Sequence, residues 1–89
     1  MGNPVIIEAV RTPQGKNRGW LSGVHPGEVL GHVLKEVLNR SGVDPAIVGQ
    51  VIGGVVSQAG EQSNAMVRRA WLHAGLPQHV AGTTVDSQC

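Results

Sequence analysis

Side chains able to do chemistry are few in these 89 residues: one cysteine, Cys89, four histidines, and seven Lys and Arg against six Asp and Glu. Cys89 follows Thr84-Val85-Asp86-Ser87-Gln88, directly after a stretch that reads as a strand. A thiol placed just after a strand and just before a helix is aimed into a cleft, and the positive end of that helix lowers its pKa. The activating helix would lie past the last residue, so it is an expectation rather than a reading of this sequence. On the residues alone a second reading stays open, in which Cys89 is a small buried hydrophobe, as free cysteine so often is. Having one cysteine excludes an intramolecular disulfide and any multi-thiolate zinc site.

The other candidates are weaker. His25 and His32 lie two helical turns apart near one face, but no carboxylate or cysteine completes a ligand set at metal spacing, so no metal is expected. His73 and His79 bracket the end of a helix and suit carbonyl caps or solvent. Arg11, Lys16 and Arg18 form a basic cluster that fits a solvated loop, or a contact with a phosphate group or an acidic partner. Gly53-Gly54 and Gly60 make neither G-x-G-x-x-G nor G-x-x-x-x-G-K-[ST], so no nucleotide loop is assigned.

The elements that must position these residues follow from periodicity. Val5-Ile6-Ile7-Glu8-Ala9-Val10 reads as a buried strand, stopped by Arg11-Thr12-Pro13-Gln14-Gly15. Residues 11–23 are expected to be irregular and exposed except near Trp20-Leu21. From Pro26, the residues Val29, Leu30, Val33, Leu34, Val37 and Leu38 recur at helical spacing and are expected in the core. Glu28 favours the start of that helix, and Arg40-Ser41-Gly42 its end.

Asp44-Pro45 reads as the cap and first residue of a short turn, and Val51–Val56 as a second buried strand whose Gly53-Gly54 invites close approach by a helix or backbone. Ser57–Ser63 is a polar loop, a second helix runs from about Asn64 to Ala74 before Gly75-Leu76-Pro77, and Val80–Val85 is a third strand. The order strand, helix, strand, helix, strand is an α/β class with a parallel sheet. Two helices cannot cover both faces of such a sheet, so the unit is expected to be incomplete as given.

Composition bounds the rest. A net charge of +1 without a clustered basic face argues against nucleic acid. No apolar run approaches the ~20 residues of a membrane span, and Met1-Gly2-Asn3-Pro4 does not open a secretory leader, so a cytoplasmic location is expected.

Three separated motifs resemble the thiolase family. Val5–Val10 with Arg11-Thr12-Pro13-Gln14-Gly15 resembles the opening strand and A-x-R-T-P-x-G turn. Val51-Ile52-Gly53-Gly54-Val55 and Gly60-Glu61-Gln62-Ser63-Asn64, leading to Ala74-Gly75-Leu76-Pro77, resemble the segment that enters a helix ending in A-G-L-P. Thr84-Val85-Asp86-Ser87-Gln88-Cys89 is similar to T-V-N-x-x-C. The resemblance covers essentially the whole chain, and it implies that residues 1–89 are the amino-terminal portion of the thiolase N-terminal domain, a βαβαβ part of a layered αβαβα fold.

The resemblance further implies that Cys89 is the acyl-thioester nucleophile, with its backbone N–H a candidate oxyanion donor. The substrates would be acyl-CoA and CoA, with no bound cofactor. The reaction would be thiolysis of 3-ketoacyl-CoA to acetyl-CoA and a shortened acyl-CoA, or the reverse Claisen condensation. An activating histidine, a second cysteine and an Asn-His pair would come from further polypeptide, without which the chain is expected to be inactive. Thiolases associate, so a homodimer or homotetramer is expected.

Asp86 stands where many thiolases have Asn, and an ionised carboxylate there opposes formation of the thiolate. Ala65 stands where the family often has Asn, while Arg68 matches the arginine of that helix. Gly19-Trp20-Leu21-Ser22-Gly23, Glu61–Asn64 and Trp71-Leu72 resemble thiolases that shorten steroid or bulky lipid side chains. Two other functions compete with the enzyme reading: a non-catalytic thiolase-like protein that binds acyl-CoA or lipid, and a free-standing interaction module.

Overall fold

A computed structural model of the chain describes residues 2–88. Helix α1 spans Pro26–Ser41, strand β1 Gln50–Gly54, helix α2 Met66–His73 and strand β2 Ala81–Val85, with single 3-10 turns at Pro45–Ile47 and Gly60–Gln62. The two strands pair in parallel, in a register running from Gln50 opposite Ala81 to Gly54 opposite Val85. α2 is the crossover between them, as a parallel pair requires.

Helix ends are set by local chemistry. His25 caps α1 with Nδ1, which accepts from the Gly27 amide at 2.9 Å, and Pro26 needs no amide partner in the first turn. Gly42 ends the helix at φ 72°, donating to the Leu38 carbonyl. Asp44 caps the turn at Pro45 as expected, its Oδ1 accepting from the Ala46 amide at 2.9 Å. Gly75, at φ 79°, follows the end of α2.

The core is centred on α2. Met66, Val67, Ala70 and Trp71 are buried together with Val55 and Val80. The Trp71 indole N–H, out of reach of water, donates to the Pro77 carbonyl at 2.6 Å. α1 meets α2 through glycines: Gly27 and Gly31 are its buried residues, and a Cβ at Gly31 would lie 3.2 Å from the Ala70 carbonyl oxygen. Glycine costs a helix interior about 1 kcal/mol relative to alanine, and close packing offsets that cost.

Five expectations are corrected. The strand expected at Val51–Val56 ends at Gly54 and is not buried on both faces: α2 covers its Gly53 face, while Ile52 is 66% exposed on the other. Val5–Val10 forms no strand among the described residues, and Val5, Ile6 and Ile7 are 77%, 90% and 68% exposed. A β-branched run fits a pleated, half-buried surface, and no neighbouring strand or covering helix supplies that surface here. The apolar stripe of α1 is only half-buried, because the helix turns its glycine face to α2. Trp20 does not pack inward and is 98% exposed. α2 begins at Met66, since Asn64 and Ala65 take left-handed conformations at φ 61° and 53° that a helix cannot include.

Candidate active site

The site expected from the sequence lies past the carboxyl end of β2. Cys89 itself is outside the described residues, so the geometry concerns what leads to it. Strand alternation turns Gly82 and Thr84 of β2 toward α2, in line with Gly53 of β1. A Cβ on Gly53 would fall 2.4 Å from Val67 Cγ2, and one on Gly82 would fall 3.0 Å from Arg68 Cα. Close approach by a helix thus accounts for Gly53, whereas Gly54 has nothing within 4 Å.

Polar bonds complete the attachment. The Arg68 guanidinium donates to the carbonyls of Gln78 and Val80, binding the segment that enters β2 to the side of α2. The Val67 amide in the first turn of α2 donates to Thr84 Oγ1 at 3.2 Å. Past the strands, the Val55 amide donates to the Val85 carbonyl at 2.7 Å, and the Gln88 side-chain amide donates to the Val56 carbonyl at 3.4 Å. The residue before Cys89 is thereby held beside the end of β1. Asp86 is exposed and makes none of these bonds.

A cleft of about 530 Å³ opens on the same side, lined by Val55, Val56 and Met66 and by Val29, Leu30 and Val33 of α1. Val29, Leu30 and Val33 are the part of the half-buried stripe of α1 that faces it. A second cleft, of about 430 Å³, lies between the start of α1 and the length of α2, with His25, Arg69 and His73 on its walls.

The remaining sequence candidates disperse. His25 is a helix cap, His32 borders a shallow cleft with Arg11, Glu36 and Arg40, and His79 Nε2 lies 2.9 Å from the Ala46 carbonyl. Arg11 lines a cleft together with Arg40, whereas Lys16 lines a separate hollow beside Trp20. Among the described residues no group of three or more His, Cys, Asp or Glu is placed to hold a metal ion, and no helix is long and apolar enough to cross a membrane.

Sequence reasoning missed the roles of Arg68 and Thr84. Ala65 carried the available signal for Thr84, because a helix whose preceding residue has no side-chain acceptor leaves its first amides to be met from elsewhere.

Comparison with known proteins bears on this geometry. Residues 4–89 match the family described as the thiolase N-terminal domain. The whole chain aligns at 43% identity with 22% of a steroid 3-ketoacyl-CoA thiolase of Mycobacterium tuberculosis, and at 40% with 22% of a beta-ketoadipyl-CoA thiolase of Escherichia coli. The crystal structure of an acetyl-CoA acetyltransferase of Bacillus anthracis superposes on 91% of the chain with a TM-score of 0.82 and 42% identity, the match covering 20% of that protein. The chain thus spans about a fifth of the length of the proteins it matches.

Proposed function

Because the chain belongs to the thiolase family, we propose that it is the amino-terminal portion of a thiolase N-terminal domain and that Cys89 is its acyl-accepting nucleophile. The observation that carries this reading is the T-V-D-S-Q-C run, whose Thr84 and Val85 end a strand held against α2 and β1, in a chain that matches the family from residue 4 to residue 89.

The Cys89 thiolate attacks the keto carbon of a 3-ketoacyl-CoA. The bond between C2 and C3 then breaks, and its electron pair leaves on the enolate of acetyl-CoA, which takes up a proton. The acyl group remains on Cys89 as a thioester, whose oxygen the Cys89 backbone N–H helps to hold. The thiol of CoA attacks that thioester after losing its proton to a base, releasing the shortened acyl-CoA and regenerating the thiolate. The acid and base groups come from further polypeptide, and the 89 residues alone are inactive.

For the acyl group we assign a steroid-derived or other bulky side chain, supported by the likeness to the mycobacterial steroid thiolase. Its CoA thioester substrates are water-soluble, which suits a cytoplasmic homodimer or homotetramer. The test is thiolysis by the complete polypeptide, followed by loss of absorbance of the 3-ketoacyl-CoA on addition of CoA. Turnover that is abolished by Cys89→Ala supports the proposal, and turnover that survives this change overturns it. Asp86, in place of the usual Asn, favours the competing reading of a non-catalytic acyl-CoA-binding relative. That reading fails if any thiolysis is detected.

A further inference from the structure

We infer that Thr84 is a positioning residue for the nucleophile, its hydroxyl fastening the carboxyl end of β2 to the amino end of α2; the inference rests on Cys89 being that nucleophile. α2 begins without a cap of its own. Ala65, at φ 53°, offers no side-chain acceptor, and the first amides of a helix have no partner inside it. The Val67 amide finds its acceptor 17 positions along the chain, on Thr84 Oγ1. Helix caps are ordinarily local, so a cap supplied by a strand also works as a tether.

The tether falls at a junction. Thr84 stands opposite Gly53 in the register, and the same Val67 presses on Gly53 so closely that no side chain fits there. The amino end of α2 and the ends of both strands therefore meet at one point. Upstream, Arg68 holds the carbonyls of Gln78 and Val80, and Gly82 lies against the Arg68 backbone. Thr84 is the last of these attachments to α2, five positions before Cys89. Later bonds run instead to the β1 side, from Val55 to Val85 and from Gln88 to Val56.

The attachments differ in kind. Arg68 satisfies two main-chain carbonyls with a charged group, so its loss acts chiefly on folding. Thr84 contributes a single neutral hydrogen bond, and its loss leaves the buried Val67 amide without an acceptor, so the thermal midpoint falls as well, though by less than on loss of a charged group that serves two carbonyls. A small displacement of a reacting group nevertheless costs far more in rate than in stability.

The experiment compares wild type, Thr84→Val, Thr84→Ala and Thr84→Ser in the complete polypeptide. It reads single-turnover acylation of Cys89 by a 3-ketoacyl-CoA from the intact mass, together with KM and the thermal midpoint. Val and Ala remove the acceptor and are expected to slow acylation about 10- to 100-fold with KM little changed. Ser keeps the acceptor and is expected to stay within about threefold of wild type. Should one of the first two variants fail to fold, the other carries the comparison.

Acylation at the wild-type rate in a folded Val or Ala variant overturns the inference, as does a Ser variant as slow as Val. Failure of both Val and Ala to fold also overturns it, by making the bond a folding determinant. Absence of a thioester on Cys89 in the wild type instead overturns the assignment of the nucleophile.

Discussion

Trp71 and Trp20 stand in two regions of opposite character, the first 2% exposed on the buried face of α2 and the second 98% exposed in the loop before α1. The sequences around them do not announce this difference. Val5-Ile6-Ile7 and Val51-Ile52 are both short β-branched runs, and each precedes a polar or glycine-rich loop. Only the second becomes a strand, because α2 carries the chain back to lay β2 beside it and covers the shared face. Strand formation here is decided by what arrives alongside, and propensity selects among segments that have a neighbour.

Truncation of the two tryptophans separates the regions most widely. Trp71→Ala is expected to destabilise the 89-residue chain by about 3–5 kcal/mol, through the loss of a large buried ring and the cavity left behind. Trp20→Ala is expected to change stability by less than about 0.5 kcal/mol. Urea denaturation followed by circular dichroism checks both, and equal losses would break the comparison.

The junction of the strands with α2 gives a second contrast. Gly53→Ala forces a methyl into Val67 and should cost about 1–3 kcal/mol, whereas Gly54→Ala, with open space around it, should be nearly neutral. Comparable melting shifts for the two would mean that α2 does not sit on β1 as described.

How far all this was legible in the sequence depends on the range of the interactions. α1, its glycine stop and the Asp44 cap follow from local patterns, and so do two strands read at Val51–Val56 and Val80–Val85, which the structure has at Gln50–Gly54 and Ala81–Val85. The face of α1 that packs on α2 was not legible from hydrophobic spacing, because it is made by Gly27 and Gly31, which add nothing to an apolar stripe. The fate of Val5–Val10 was not legible because strand pairing is a tertiary event. On the candidate site, the T-V-D-S-Q-C run pointed to Cys89, but the Arg68 and Thr84 attachments join residues 10 to 17 positions apart and have no local signature.

Smaller effects sharpen the picture at the start of α2. Ala65 holds a left-handed conformation that costs an alanine about 1–2 kcal/mol, so Ala65→Gly is expected to stabilise the chain by about 0.5–1 kcal/mol in spite of the entropy glycine adds to the unfolded state. A melting temperature that falls on this change would place the strain elsewhere. Smallest of all is Glu36→Gln, which breaks the pair between Glu36 and Arg40 on the surface of α1. Between solvent-accessible side chains such a pair contributes under about 0.5 kcal/mol, and urea midpoints within error of wild type are expected.

The packed region matters because it carries the chain to Cys89, and the claim that Cys89 accepts the acyl group can be tested directly. The measurement is a denaturing intact mass spectrum of the complete polypeptide after brief exposure to a 3-ketoacyl-CoA, with the modified peptide sequenced. The account predicts one acyl increment, located on Cys89 and removed by CoA. An unmodified Cys89, or an acyl group carried by another residue, would contradict it.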